Sequence, residues 1–214
     1  CGTYVCNGTS GYCPTWCTSD ANCAGGSFCN AQGACVPKLD LGARCDAANE
    51  CASGYCVDGV CCDTACDGGC EACTASLGAS EDGTCTVLPA GTSCGPYLCD
   101  GESGTCPSSC ESDADCAEGN FCTAENACVP KLALGESCRA ANECASGHCV
   151  DGVCCESACD GQCARCDAPG SAGTCTATVG APVGDRPACA SDGSACGGSC
   201  DGANLDACSY PGAD

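Results

Sequence analysis

CDAANECASGYCVDGVCC, residues 45–62, holds five cysteines in eighteen positions and recurs as CRAANECASGHCVDGVCC at residues 138–155. Between the cysteines stand small, polar and turn-forming residues, with only Tyr55, Val57 and Val60 as larger apolar groups. A segment of this composition cannot order itself by burial, so its cysteines must do so as cross-links. The turn chemistry is explicit. Asp58-Gly59 lies between Val57 and Val60 and tolerates the positive φ of a tight primed turn, which predicts a tiny hairpin there and again at Val150–Val153. DAANECA has room for one helical turn, and Gly and Cys recur too often for a long helix.

Working outward from this stretch, a shift of 93 positions superimposes residues 1–73 on 94–166 without a gap, with 49 of the 73 positions identical. All fifteen cysteines of the first segment fall on cysteines of the second, and Cys85 matches Cys175 after a three-residue deletion. CGGSCDGANLDAC at Cys196–Cys208 then resembles CGPYLCDGESGTC at Cys94–Cys106. The sequence therefore divides into repeat 1 (1–93), repeat 2 (94–188) and a partial third repeat (189–214).

The whole chain follows the same composition. Its 214 residues include 36 cysteines and 31 glycines, whereas Leu, Val and Phe together number 20 and Ile and Met are absent. A large enzyme-like core is excluded. In the chain-entropy description each bridge closing a loop of about 15 residues contributes about 3 kcal/mol, enough in sum to hold a coreless chain. The expected fold is a small disulfide-rich one, mostly loop with short β-hairpins and little helix, arranged as an elongated tandem array. Bridges of this number persist in an oxidising place, so the chain is expected to be secreted, extracellular or on a cell surface. It starts on a repeat cysteine without an initiating Met, and we read it as a mature or excised segment. No apolar run is long enough to span a bilayer. With 6 basic residues against 28 acidic ones and a net charge of −22, nucleic acid and anionic lipid are excluded as partners, while cations and glycans remain compatible.

The cysteine spacing suggests separate closed groups. Cys17, Cys23, Cys29 and Cys35 form one quartet and Cys45, Cys51, Cys56 and Cys61 another, joined by the cysteine-free linker VPKLDLGAR. A third group of eight crosses the repeat boundary: Cys62, Cys66, Cys70, Cys73, Cys85, Cys94, Cys99 and Cys106. The adjacent pairs Cys61-Cys62 and Cys154-Cys155 are expected to bond to different partners at module junctions. Three cysteines, Cys1, Cys6 and Cys13, precede the first quartet, and nine follow Cys154, including the additional Cys189. Both numbers are odd. Unless modules pair over long range, one cysteine in each set lacks a local partner, and a leftover cysteine in a secreted chain implies pairing with another molecule. The inter-subunit candidates are Cys1, Cys6, Cys13 and Cys189. The alternatives are a long-range bridge from Cys189 to one of the other three, or excision from a longer protein.

The stretches Cys17–Cys62 and Cys110–Cys155, with CTSDANC, CVP and LGARCDAANECASGYCVDGVCC and their copies, resemble the Dickkopf N-terminal cysteine-rich pattern. Such arrays are also similar to those of secreted and outer-surface proteins of myxobacteria and related bacteria. The resemblance implies a stapled scaffold outside the cell. The animal family antagonises a Wnt co-receptor through an Asn-x-Ile peptide, and this sequence contains no Ile, so that activity is not carried over.

Catalytic motifs find no support. His148 is the single histidine and is replaced by Tyr55 in the other copy, which excludes a repeated His-based triad or metal ligand. Cys70-x-x-Cys73 and Cys163-x-x-Cys166 read as structural disulfide cysteines, since a redox pair needs a fold this chain cannot build. Asp20, Asp113 and Asp115 are candidate calcium ligands from their short acidic spacing, although the full loop motif is missing. Otherwise no cofactor is expected. Asn7-Gly8-Thr9 fits the N-glycosylation pattern. The expected function is that of an extracellular structural protein assembling end to end into a filament or surface fibre, and not an enzyme. The alternative is an adhesin stalk or a glycan- or protein-binding cell-surface module.

Overall fold

The computed structural model describes residues 1–6, 8, 11–191 and 196–211. The chain forms two compact units, Cys1–Ser108 and Ser109–Asp214. These boundaries are offset from the sequence repeats because the Cys70–Cys99 bridge ties residues 94–106 back onto the module before them.

Regular structure is confined to short pieces. Among the described residues there are two-stranded antiparallel ladders and single 3-10 turns, and no longer helix. In the first unit Ser27–Cys29 pairs with Cys35–Pro37, and Cys56–Val57 pairs with Val60–Cys61. Asp58 and Gly59 take φ of 53° and 78° between the latter strands, the left-handed pair that the Asp-Gly sequence predicts. Ala48–Glu50 supplies the single helical turn expected of DAANECA, in 3-10 form. The second unit repeats these elements, with Asn120–Cys122 on Cys128–Pro130 and Cys149–Val150 on Val153–Cys154.

Every bridge shown falls within the cysteine groups read from spacing. The quartets pair first to third and second to fourth: Cys17–Cys29 with Cys23–Cys35, and Cys45–Cys56 with Cys51–Cys61. The group of eight closes as Cys62–Cys73, Cys66–Cys85, Cys70–Cys99 and Cys94–Cys106. Cys61 and Cys62 thus bond in opposite directions, and neither Cys-x-x-Cys closes on itself, since Cys73 bonds Cys62 and Cys70 bonds Cys99. Cys163 and Cys166 likewise bond Cys200 and Cys155.

The largest fully buried side chains are all cysteines, among them Cys51, Cys61, Cys62, Cys70 and Cys73. Around them lie single apolar groups. Leu39, in the linker, is half-buried against Cys45, Cys51 and Cys61, and its main chain exchanges hydrogen bonds with Glu50 and Ala52. The linker is thereby docked on the second quartet. Leu41, by contrast, is exposed.

Carboxylates finish what sulfur begins. Asp58 Oδ2 accepts the Cys73 N–H at 2.8 Å and Asp151 Oδ2 the Cys166 N–H at 2.8 Å, so the hairpin turn of each second quartet holds the following group. In the second unit a further residue enters. The connection after Cys175 is longer than its counterpart, and it brings Arg186 onto Asp151, with Nη1 2.6 Å from Oδ1 and Nη2 3.1 Å from Oδ2. The same guanidinium donates to the carbonyls of Val183 and Cys159.

Candidate functional site

The loop closed by Cys94 and Cys106, with a sequence separation of 12, is held down by three contacts with the module before it. Cys99 is bridged to Cys70, Gly104 accepts the Cys70 N–H at 2.9 Å, and Cys99 accepts the Gly91 N–H at 2.9 Å. Cys99 is 3 % exposed. The partner segment is the irregular stretch Cys66-Asp67-Gly68-Gly69-Cys70, whose glycines are required by proximity. A Cβ on Gly68 would run into the Gly104 carbonyl, and one on Gly69 would lie 2.9 Å from Cys106 Cβ. Cys66 starts this segment at φ 45°, in the left-handed region.

The second unit builds the same joint from Cys159-Asp160-Gly161-Gln162-Cys163. Cys163 is bridged to Cys200, which is 2 % exposed, and its N–H donates to the Leu205 carbonyl at 2.9 Å. Here the ring is closed differently. Cys189, from the longer connection, bonds Cys208, so the residue aligned with Cys94, the exposed Cys196, is not the ring partner.

Residues 1–13 are the third copy of this loop, CGTYVCNGTSGYC against CGPYLCDGESGTC. Cys1 and Cys13 close the ring. Tyr4 Oη donates to the Thr15 carbonyl at 3.0 Å, as Tyr97 Oη donates to Ser108 at 3.1 Å, so the aromatic ring common to both copies pins the loop to the residues that follow it. Two main-chain bonds, Val5 N–H to Asn22 and Ala24 N–H to Thr3, both 2.8 Å, seat the loop on the first quartet. Cys6, aligned with Cys99 and Cys200, is an exposed free thiol, with its Sγ 2.7 Å from Cys1 Sγ. Of the four inter-subunit candidates, Cys1, Cys13 and Cys189 are therefore withdrawn, each being held in a ring within the chain. Neither did Cys189 reach the N-terminal trio: the nearby Cys208 takes it.

Beside Cys6 a cleft is lined by Val5, Pro14, Trp16, Thr18 and Ala21. Trp16 is 67 % exposed and Tyr12 86 %, where the second copy has Ser109 and Thr105. Sequence reading had no signal for this cleft beyond the isolated Trp.

The calcium candidates have structural employment. Asp20 Oδ1 accepts the Cys29 N–H at 2.8 Å and Oδ2 accepts Asn49 Nδ2 at 2.9 Å, which joins the two quartets of the first unit. Asp113 makes the same pair of bonds to Cys122 and Asn142, and Asp115 Oδ2 accepts the Glu111 and Ser112 N–H groups. The spacing of two arises because both residues of a 3-10 turn are reaching for backbone donors. Asn7 lies outside the described residues.

These hydrogen bonds hold the carboxyls of Asp20, Asp113 and Asp115 below the ordinary value of 3.8, through the backbone N–H groups just named. Asp201 is lowered to about 2, first by the Ser209 hydroxyl and then by the Asn204 and Ala203 N–H groups. Groups whose folded pKa is depressed stabilise the fold above their unfolded pKa and lose that contribution as pH falls through the folded one. Amide exchange at Cys29, Cys122 and Ala203 is therefore expected to stay slow from pH 7 down to about 4, after correction for intrinsic rates, and to accelerate between about 4 and 2. A rise beginning near pH 6 would assign the protection to other groups.

The family description Dickkopf N-terminal cysteine-rich region matches residues 109–155. This is the two-quartet portion of the second unit, from just before Cys110 to Cys155. No curated protein and no solved structure matches the chain.

Proposed function

We propose that the chain is an extracellular structural repeat protein that extends end to end by disulfide bonding into a filament or surface fibre, with Cys6 in the joint. The density of bridges and the Dickkopf-type region support a cysteine-rich module of extracellular type. Among the described residues no helix is long and apolar enough to cross a membrane. The observation that carries the further step is the free, exposed Cys6 on a loop whose two counterparts each bear a buried bridge to a neighbouring module. A contact of this heterologous kind that does not close into a ring continues as an open chain of subunits. In this reading the protein works as a scaffold and catalyses nothing.

Denaturing electrophoresis of native material with its thiols blocked tests the proposal. Without reductant the protein is expected above the position of the reduced chain, in steps that collapse on reduction, and Cys6→Ser is expected to remove them. A single unshifted band ends the covalent polymer. It leaves the second reading, a cell-surface module binding glycan or protein, which the exposed Trp16 and Tyr12 beside the cleft support.

A further inference from the structure

We infer that the first unit carries a site for an arginine side chain of another chain, presented on a Gly-x-Arg turn and received by the Asp58 carboxylate and the Cys66 carbonyl. The inference is independent of Cys6. It rests on a ligand that the second unit supplies from within to the same two groups.

In the second unit that ligand is in place. The Arg186 guanidinium lies against Asp151, with Nη1 2.6 Å from Oδ1 and Nη2 3.1 Å from Oδ2, and Nη2 also donates to the Cys159 carbonyl at 2.8 Å. Nη1 donates to the Val183 carbonyl at 3.1 Å, which folds the arginine's own segment over the carboxylate. Gly184 stands in this turn at φ 62°, where a Cβ would come within 3.0 Å of Asp151 Oδ1. A planar fork that serves a carboxylate and a carbonyl at once suits a guanidinium and not the compact ammonium of lysine.

The first unit holds the same acceptors in the same frame. Asp58 and Asp151 have φ of 53° and 54°, and Cys66 and Cys159 are both at 45°. Asp58 Oδ2 accepts the Cys73 N–H at 2.8 Å, as Asp151 Oδ2 accepts that of Cys166. The bridges that fix the frame correspond, Cys62–Cys73 to Cys155–Cys166 and Cys66–Cys85 to Cys159–Cys175. What differs is the connection that delivers the arginine. Residues 86–93 join Cys85 to Cys94, whereas 176–195 join Cys175 to Cys196, and Arg186 belongs to this longer stretch. Among the described residues, Asp58 Oδ1 and the Cys66 carbonyl accept no hydrogen bond. Asp58 is exposed and Cys66 half-buried, where the Asp151 side chain is 9 % exposed and Cys159 6 %. Two acceptors that the second copy satisfies with one guanidinium therefore face solvent in the first.

The occupant comes from outside the chain. Arg186 is committed to Asp151, and Arg44, which lines the same cleft as Asp58, forms no ion pair among the described residues. A net charge of −22 draws a cationic partner toward this face.

The test titrates the folded, isotope-labelled full chain with a terminally blocked peptide of residues 181–188 and follows amide chemical shifts. The Cys73 and Asp67 amides, which report on Asp58 and on the Cys66 carbonyl, are expected to shift to saturation with a dissociation constant of about 1 mM. The Cys166 and Asp160 amides are expected to stay still, because Arg186 already fills their site. Arg186→Lys or Gly184→Val in the peptide, and Asp58→Asn in the protein, are each expected to weaken binding about tenfold. Equal shifts from the Lys peptide would reduce the effect to attraction of any cation by an acidic chain and overturn the site. Equal affinity for N-acetylarginine amide, or indifference to Gly184→Val, would overturn the turn as the element recognised. Absence of saturation would overturn the proposal as a whole, and saturation gained only with Arg44→Ser in the protein would show that Arg44 fills the site itself.

Discussion

Full reduction of the native chain at neutral pH, without denaturant, is expected to dissolve the fold as a whole. The largest fully buried side chains are cysteines, and the larger apolar groups at the core are few: Phe28, Phe121, Val60 and Leu88. Most bridges close loops of 10 to 19 residues, for example Cys51–Cys61 and Cys66–Cys85. Each such loop is worth about 3 kcal/mol in the chain-entropy description, and no buried apolar surface of comparable size stands behind them. Once the bridges are cut, a net charge of −22 drives expansion. Amide dispersion should collapse, and the radius of gyration should approach about 50 Å, the scale of an unfolded chain of this length. Hairpins at 56–61 and 149–154 that kept their amide protection after complete reduction would show that packing, and not cross-linking, holds the modules.

Arg186→Met is expected to open the second unit while leaving the first unchanged. The Asp151 and Arg186 side chains are 9 % and 10 % exposed, and the carboxylate also holds the Cys166 N–H. Hydrogen bonds to Arg186 and the Cys166 N–H oppose the strongest influence on Asp151, its desolvation, and keep its carboxyl below the ordinary value. Removing one partner of a buried pair strands the other charge, at a cost of about 3 kcal/mol. Exchange at the Cys166 amide should rise roughly a hundredfold, that free energy being about two factors of ten in an opening constant. The double variant Arg186→Met with Asp151→Asn should recover part of the loss, because no buried charge is then left alone. A null effect of Arg186→Met would mean that the bridges alone hold the long connection.

The grouping of the cysteines was legible because each group is bounded by a cysteine-free linker or by an adjacent pair such as Cys61-Cys62. The order of pairing was not, since four cysteines permit three connectivities and spacing does not choose among them. The hairpin at Val57–Val60 was legible from Asp-Gly alone, and the single turn at Ala48–Glu50 from DAANECA. The strands Ser27–Cys29 and Cys35–Pro37 carried no comparable alternation and went unread. Cys6 could be narrowed to one of three by parity, and only the Cys1–Cys13 ring selects it. For Asp20 and Asp113 the spacing suggested an ion, while the hydrogen bonds they accept from Asn49 and Asn142, 29 positions away, had no signal in it. Arg186 and Cys189 belong to a connection without a counterpart in the first copy, so repeat comparison had nothing to say about them.

The connectivity of the eight-cysteine group also sets how the chain carries a pulling force. From Cys62 the load crosses to Cys73, runs backward along the main chain to Cys70, crosses to Cys99, and runs backward again to Cys94 before crossing to Cys106. The intervening backbone of that segment is slack that stretching cannot draw out while the bridges stand. Extension is therefore concentrated in the unlooped links 14–16, 36–44, 107–109 and 129–137, at about 3.3–3.6 Å per residue, after which stiffness should rise steeply toward that of covalent bonds. A thiol in the surrounding fluid would soften such a chain one bridge at a time, releasing stored length in fixed increments.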